Sequence, residues 1–411
     1  MGTLVLLLGL VGWILLRPKS EPVVVSDTPA PKADSGDLNR GSVGHLIETA
    51  DLSEGPGEIH VMYGNAALVA DLTFDEGLQR FILKELRRRK VDWAGVAVVD
   101  ALTGEVLALA SHSEREPSAR NLALRATFSA ASVFKVVTAA AAVEDRGYRR
   151  STLVRYEGNS TKVRSREILH DRGRESMTLA EGFAKSANAI FGKIGARAVG
   201  GGLLSEYAER FGFNTPIPFI PAVELSRAEI PREDPMEEAR AAAGFGEVTL
   251  SPLHGALIAG AVVADGFMME PFLVRRIVAS TGRLRYATGP RVWRKPITPT
   301  TAKELRKMMI QTVADGTARK GFRGRERDKI LRLLEVGGKT GSLTGKNPRG
   351  KHEWFIGYAQ SPNRRVAIGM VIVSETKWKV RPSELAKEIF HYYFSPRLVM
   401  EANAQPPLYG P

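Results

Sequence analysis

A chain of 411 residues that is 44% hydrophobic and 25% charged holds enough apolar material for one large core or two modest ones, which excludes a disordered tail. It has no cysteine, which excludes disulfide frameworks, thiolate metal sites and cysteine nucleophiles, and suits an envelope protein that should not acquire stray disulfides. Its 58 lysines and arginines against 45 acidic residues leave a net charge of +13, compatible with anionic lipid, an anionic wall polymer or nucleic acid.

Residues Gly2 to Leu16 form an apolar run broken only by Thr3 and glycines. The run is shorter than the roughly 20 residues of a usual spanning helix and no small-x-small cleavage site follows it, so residues 1–16 are expected to be an uncleaved membrane anchor. Arg17 and Lys19 come after the run, an arrangement that the positive-inside rule associates with a cytoplasmic body. Residues 17–69, rich in Pro, Asp, Ser and Gly as far as Pro56, are expected to be a linker. Apolar Phe74, Leu78, Phe81, Ile82 and Leu86 then mark an amphipathic helix. The basic run Lys84 to Lys90 has no interleaved aromatics, and reads as a solvated helix face, not a nucleic-acid site. Trp93 to Val99 and Glu105 to Ala110 are strand-like and flank the turn sequence Asp100-Ala101-Leu102-Thr103-Gly104.

From Ser132 the chain is rich in Ala, Val and Phe with no Gly or Pro until Gly147, the pattern of a helix buried on all sides. Such a helix has little use for Lys135. At spacing i, i+3 its ammonium lies beside the Ser132 hydroxyl, and desolvation would depress its pKa until the amine could take the serine proton. A capping serine with a snorkelling lysine gives the same pattern. Ser374-Glu375-Thr376-Lys377 repeats the S-x-x-K spacing, but it closes the β-branched run Val366 to Val373, as a strand end would.

Helical patterns continue to Phe211. Lys185-Ser186-Ala187-Asn188 falls where one helix stops and the next starts, exposing a hydroxyl and an amide together or simply capping. Asn214 to Pro235 is a proline-rich loop or lid, Ser251 to Ala264 and Thr300 to Val313 read as helices, and Leu334 to Leu343, Glu353 to Gln360 and Arg365 to Val373 as strands. A helix from Pro382 to Phe394 follows, and residues 397–411 read as a tail. The expected fold is α/β of the α+β kind: one five-stranded antiparallel sheet, two strands early and three late, around a helical middle. Gly337-Gly338-Lys339-Thr340-Gly341-Ser342 lies on one of the late strands. A phosphate loop is rejected there, because G-x-x-x-x-G-K-[ST] needs glycine where Leu333 stands. Lys339 alone could equally be an edge-strand lysine that discourages aggregation.

S-x-x-K, then S-x-N, then K-T-G in that order resembles the signature of penicillin-binding proteins and serine β-lactamases. Leu72-Thr73-Phe74-Asp75 with Leu78-Gln79, Thr103 to Ala108, Gly244 to Pro252, Gly316-Thr317-Ala318 and Trp354 to Tyr358 also resemble stretches of the transpeptidase domain, in family order, so the likeness runs from about Ala70 to Phe394 within a domain set at 70–396. It departs where the family usually has Pro-Gly before the nucleophile and this chain has Ala130-Ala131, where it usually has Thr and this chain has Val133, and at Ser342, where it usually has Thr.

The resemblance implies a five-stranded sheet with flanking helices beside an all-helical subdomain, the active site lying between them. It implies Ser132 as nucleophile, Lys135 as its base, Ser186 as proton relay, and Lys339 holding the site electropositive. Asn188, Thr340, Gly341 and Ser342 would bind substrate, with the backbone N–H groups of Ser132 and Ser342 as oxyanion hole. It implies a monofunctional D,D-transpeptidase, since no stretch is long enough for a glycosyltransferase domain. That enzyme would act on peptidoglycan stem peptides with a D-Ala-D-Ala donor and bind β-lactams covalently. It would sit on the inner membrane with its catalytic domain outside the cytoplasm, with a glycosyltransferase as a further partner, and without cofactor, metal or nucleic acid. A D,D-carboxypeptidase, a β-lactamase and a β-lactam sensor share these motifs. Between Asn188 and Lys339 the one asparagine, Asn214, is preceded four residues earlier by Arg210, so the E-x-x-x-N deacylation segment of class A lactamases is missing.

Overall fold

The computed structural model describes residues 38–404 apart from 49, 166–167, 169–172 and 376–377. The expected anchor at 1–16, the first part of the expected linker and the end of the tail lie outside the described residues. No helix among the described residues is long and apolar enough to cross a membrane.

Five strands lie side by side in the order Glu335–Lys346, Arg349–Gln360, Arg365–Ser374, Trp93–Asp100 and Val106–His112, every neighbour antiparallel. The two early and three late strands thus meet as expected. Arg365–Ser374 is apolar on both faces and takes the central place, buried along nearly its whole length. The helix Pro252–Val263, apolar all round, lies across one face of it. Gly369 permits this close approach, since a Cβ there would stand 2.0 Å from the Pro252 carbonyl oxygen. The opposite face is covered by the helices Glu76–Arg88 and Pro382–Ala404, which bury Leu78, Ile82, Leu86, Leu385, Ile389 and Phe390 against Val96, Val98, Phe355 and Ile368. The free edge of Val106–His112 is closed by Gln79, whose Nε2 donates to the Leu109 carbonyl at 3.0 Å and whose Oε1 accepts from the Leu109 N–H at 2.9 Å. The side-chain amide takes the place of a sixth strand there.

The helical middle consists of Lys135–Asp145, Leu179–Ala184, Asn188–Ile194, Gly200–Arg210, Pro235–Ala242 and Pro299–Ala314, with one short hairpin of Leu153–Tyr156 and Glu175–Thr178 added to it. Its apolar side chains join those of the sheet face under Pro252–Val263 in one core.

The linker expectation is corrected over its described half. Arg40–Glu48 is a helix, and Glu58–Tyr63 and Ala66–Leu72 form a hairpin whose second strand pairs with Val274–Ala279, itself paired with Leu284–Ala287. This second sheet of four strands holds the segment in place, and Leu38, Val43, Leu46 and Ile47 are buried in the core. Composition alone reads such a stretch as linker because its partner strands lie some two hundred residues away.

Candidate active site

The Ser132 turn is built before the helix begins. Phe128-Ser129 pairs with Thr249-Leu250, and the chain then turns through Ala131, whose φ of 51° is the left-handed conformation that glycine adopts most easily. Residues Ala131–Phe134 make a 3-10 turn that runs into the α-helix Lys135–Asp145, so Ser132 stands just ahead of the helix, half-buried. Gly244, at φ 90°, presses on the same turn. A Cβ at Gly244 would lie 2.1 Å from the Ala131 oxygen.

Lys135 is fully buried. As an ammonium its Nζ donates to Ser132 Oγ at 2.6 Å, to Asn188 Oδ1 at 2.8 Å and to the Ala243 carbonyl at 2.5 Å; as the neutral amine it keeps two N–H groups for Asn188 and Ala243, and its lone pair faces the Ser132 hydroxyl. The Ala243 carbonyl ends the helix Pro235–Ala242, and Thr138, one turn along from Lys135, donates to the neighbouring Ala242 carbonyl at 2.9 Å. The snorkelling alternative is ruled out, because the ammonium reaches no solvent.

Ser186 owes its placement to the end of the preceding helix. Leu179–Ala184 starts with a reciprocal Thr178–Glu181 cap and closes with Ala187 N–H donating to Gly182 and Ser186 N–H to Phe183. That closure needs a left-handed residue next after the cap, usually glycine. Ser186 occupies it at φ 56°. The strain holds its hydroxyl where Lys339 Nζ donates to Ser186 Oγ at 2.9 Å. Asn188 opens the next helix, its Nδ2 donating to the Thr161 carbonyl at 2.7 Å.

Lys339 does lie on an edge strand, Glu335–Lys346, yet its side chain is fully buried and also donates to the Thr340 carbonyl at 2.9 Å. Gly341 brings that strand against the Ser132 turn, where a Cβ would be 3.2 Å from both the Ala130 oxygen and the Val133 nitrogen. Thr340 Oγ1 stands 2.5 Å from Thr317 Oγ1, and Ser342 is exposed beyond it. Ser132, Lys135, Asn188, Ser186 and Lys339 therefore come together at the meeting of sheet and helices, whereas Thr340 turns to Thr317. Ser374 ends the central strand, as the competing S-x-x-K site was expected to.

Burial drives both lysines toward the neutral amine. Lys135 is held well below the usual lysine value, first by desolvation and then by the charge of Lys339, while desolvation brings Lys339 down to about 7. Near neutrality the site thus sets an amine that leans neutral beside Ser132 and a partly charged ammonium beside Ser186.

Two parts of the site carried no side-chain signal of their own in the sequence, the Ala243 carbonyl and Thr317. Their neighbours Gly244 to Pro252 and Gly316 to Ala318 were visible only as stretches resembling a family.

The Penicillin binding protein transpeptidase domain family matches residues 94–394. The chain is 28% identical over 261 residues to the peptidoglycan D,D-transpeptidase PbpA of Mycolicibacterium smegmatis, covering 61% of this chain and 51% of that one. It is 26% identical over 325 residues to the stage V sporulation protein D of Bacillus subtilis, covering 73% and 49%. It thus spans about half the length of these relatives. Among solved structures, the D,D-transpeptidase domain of a peptidoglycan glycosyltransferase from Eggerthella lenta superposes with a TM-score of 0.64 at 25% identity over 80% of this chain and 83% of that one. The penicillin G acyl-enzyme complex of penicillin-binding protein A from Mycobacterium tuberculosis shares the fold with a TM-score of 0.61 at 21% identity over 82% and 80%. A family match that begins in the first strand of the main sheet and ends in the C-terminal helix takes in every part of the fold that builds the site, and the chain belongs to the penicillin-binding protein transpeptidase domain family.

Proposed function

We propose that this chain is a serine D,D-transpeptidase that cross-links peptidoglycan stem peptides and is acylated by β-lactams, anchored in the inner membrane through residues 1–16 with its catalytic domain outside the cytoplasm. The observation that carries the reading is the 2.6 Å contact of a buried, neutral-leaning Lys135 amine with Ser132 Oγ. Ser132 Oγ attacks the carbonyl of the penultimate D-alanine as its proton passes to Lys135. Collapse of the tetrahedral adduct breaks the bond to the terminal D-alanine, whose amine leaves with a proton relayed through Ser186. An acceptor amine then attacks the Ser132 ester, forming the cross-link and returning the serine. Asn188 orients both Lys135 and the substrate amide. Lys339, with Thr340 and Ser342, favours the terminal carboxylate. Gly341 lets the K-T-G strand approach close enough for the N–H groups of Ser132 and Ser342 to hold the oxyanion. A peptidoglycan glycosyltransferase would supply the glycan strands on which this chemistry acts.

A β-lactamase needs a base that activates water on the ester. Asn214, the one candidate for the amide half of such a segment, binds the Ala228 backbone with both its amide groups, at 3.0 Å each. The acyl-enzyme is therefore expected to persist, with turnover well under one per minute, a barrier of roughly 20 kcal/mol or more. Intact-mass measurement and peptide mapping after incubation with penicillin should find one stable adduct, on Ser132. An adduct on Ser374, no adduct, or many turnovers per second would overturn the assignment. A donor stem peptide assayed with and without an acceptor amine separates transpeptidase from carboxypeptidase.

A further inference from the structure

The segment after Thr317 carries charge that the chemistry above does not use. Between 315 and 332 stand seven basic residues against three acidic ones. Arg325 pairs with Glu326 and Asp328 with His391, but Arg319, Lys320, Arg323, Arg327, Lys329 and Arg332 are exposed and make no ion pair among the described residues. This is not a loose tail. Ala318, Phe322 and Leu331 are buried between the cations, Phe322 lying 5.7 Å from the Phe355 ring, and Asp328 accepts from the Ile330 and Leu331 N–H groups at 2.9 Å. Inward apolar residues fix the backbone and hold the cations outward.

The segment starts in the wall of the site. The Thr317 N–H donates to the Ala184 carbonyl at 3.0 Å, two residues before Ser186, and Thr317 Oγ1 touches Thr340 Oγ1. Arg319 therefore sits within about 7 Å of Thr317 along the chain. At Gly321 the segment reaches the C-terminal helix, where a Cβ would stand 2.8 Å from the Glu384 nitrogen. Just ahead of that helix, Trp378 is 43% exposed, with the Arg381 guanidinium stacked 4.5 Å from its ring centre. An exposed indole under a stacked guanidinium, five residues before the Ser383 that meets the cationic segment at Gly321, offers an apolar plate and a positive field on one stretch of surface.

We propose that this lip, Arg319 to Arg332 with Trp378 and Arg381, is a binding subsite for a peptide-bearing glycan strand of the cell wall, the sugar rings lying on Trp378 and the free carboxylates of neighbouring stem peptides meeting the cations. The inference rests on the transpeptidase reading, and adds to it where the rest of a polymeric substrate lies. One exposed tryptophan in a row of cations suits intermittent sugar contacts and not the successive stacked bases of a nucleic acid. The position, beginning at the rim of the donor site, suits a polymer whose peptide branch enters that site.

The test is co-sedimentation of the full-length chain with purified, insoluble peptidoglycan over a salt series. Two variants outside the catalytic machinery accompany it, Arg319→Glu/Lys320→Glu/Arg323→Glu and Trp378→Ala, with the penicillin acylation rate as control. The triple variant should bind about tenfold more weakly and with a shallower salt dependence. Trp378→Ala should bind about threefold more weakly with the salt dependence unchanged. Both should acylate within twofold of wild type. Unchanged binding in the triple variant overturns the proposal, as does competition by DNA or anionic phospholipid vesicles as effective as that by soluble glycan fragments. Wild-type protein that binds the polymer yet fails to acylate leaves the subsite standing and removes the transpeptidase reading instead.

Discussion

Lys339→Met should make the protein more stable below neutral pH while disabling substrate recognition. In the fold Lys339 titrates at about 7, against an ordinary 10.5, because burial opposes its charge. Below pH 7 both folded and unfolded chains carry the proton, and the fold holds an ammonium that the unfolded chain leaves in water. The difference of three to four pKa units corresponds to about 5 kcal/mol against folding. Methionine removes that term and fills a similar volume, but it also removes the hydrogen bonds to Ser186 Oγ and the Thr340 carbonyl, about 1 kcal/mol each. The net gain at pH 6.5 is therefore about 3 kcal/mol. The sign with pH follows from the same numbers. Between pH 7 and 10.5 the unfolded chain binds a proton that the fold does not, so wild-type stability rises with pH by about 1.4 kcal/mol per unit from Lys339, and by as much again from Lys135 over its own window. Urea unfolding followed by tryptophan fluorescence from pH 6.5 to 9.5 reads both slopes. In Lys339→Met one proton's worth of slope disappears, and Lys135, relieved of a neighbouring charge, titrates at higher pH. Equal slopes in the two proteins would show that Lys339 keeps its proton in the fold, refuting the account of its burial.

Lys135→Ala should fold, since alanine is the best helix former, and should slow penicillin acylation by about 10²- to 10⁴-fold as measured by stopped mass spectrometry; a loss within a few-fold would mean that another group takes the proton. Gly244→Ala should lower acylation without unfolding the protein, because its Cβ, 2.1 Å from the Ala131 oxygen and on a left-handed backbone, displaces the nucleophile turn; wild-type acylation would show that the turn is not held from that side. A chain starting at Glu58 should be several kcal/mol less stable than one starting just before Leu38, because it loses four buried apolar side chains at about 1.5 to 3 kcal/mol each; equal melting temperatures would return 38–57 to the status of a linker.

What the sequence disclosed divides along physical lines. The main sheet was legible because its strands are long and β-branched, Arg365–Ser374 above all, and because a strand buried on both faces needs no partner to be recognised. The second sheet was not. Glu58–Tyr63 is mostly exposed and Leu284–Ala287 only half-buried, so neither shows the alternation that one buried face would write into it, and Arg40–Glu48 carries two glycines in nine residues. The pairing of Ser132 with Lys135 was visible because a lysine on an all-apolar helix demands an explanation. Lys339 was ambiguous for the opposite reason, since an edge strand is an ordinary place for a lysine and only the packed Phe183, 5.5 Å from its ammonium, shows that this one is inside. The left-handed Ser186 was beyond reach of sequence, because it stands where propensity would put glycine, and the same conformation at Ala131 was signalled only by the glycine that the resembling family usually has there.

The central strand also sets when the candidate site is complete. Arg365–Ser374 pairs Val373 with Trp93 and Val366 with Asp100, and Lys339 meets Ser186 across 153 residues of chain. During synthesis the helix that bears Ser132 is made long before the strands that complete its surroundings. Until residue 374 has emerged, the early hairpin has no neighbour on its inner side, and until residue 339 has emerged Ser186 has no lysine beside it. Contacts this distant in sequence make folding slow and late. The same delay leaves the site unfinished, so a nascent or truncated chain carries the Ser132 hydroxyl without the Lys339 strand beside it.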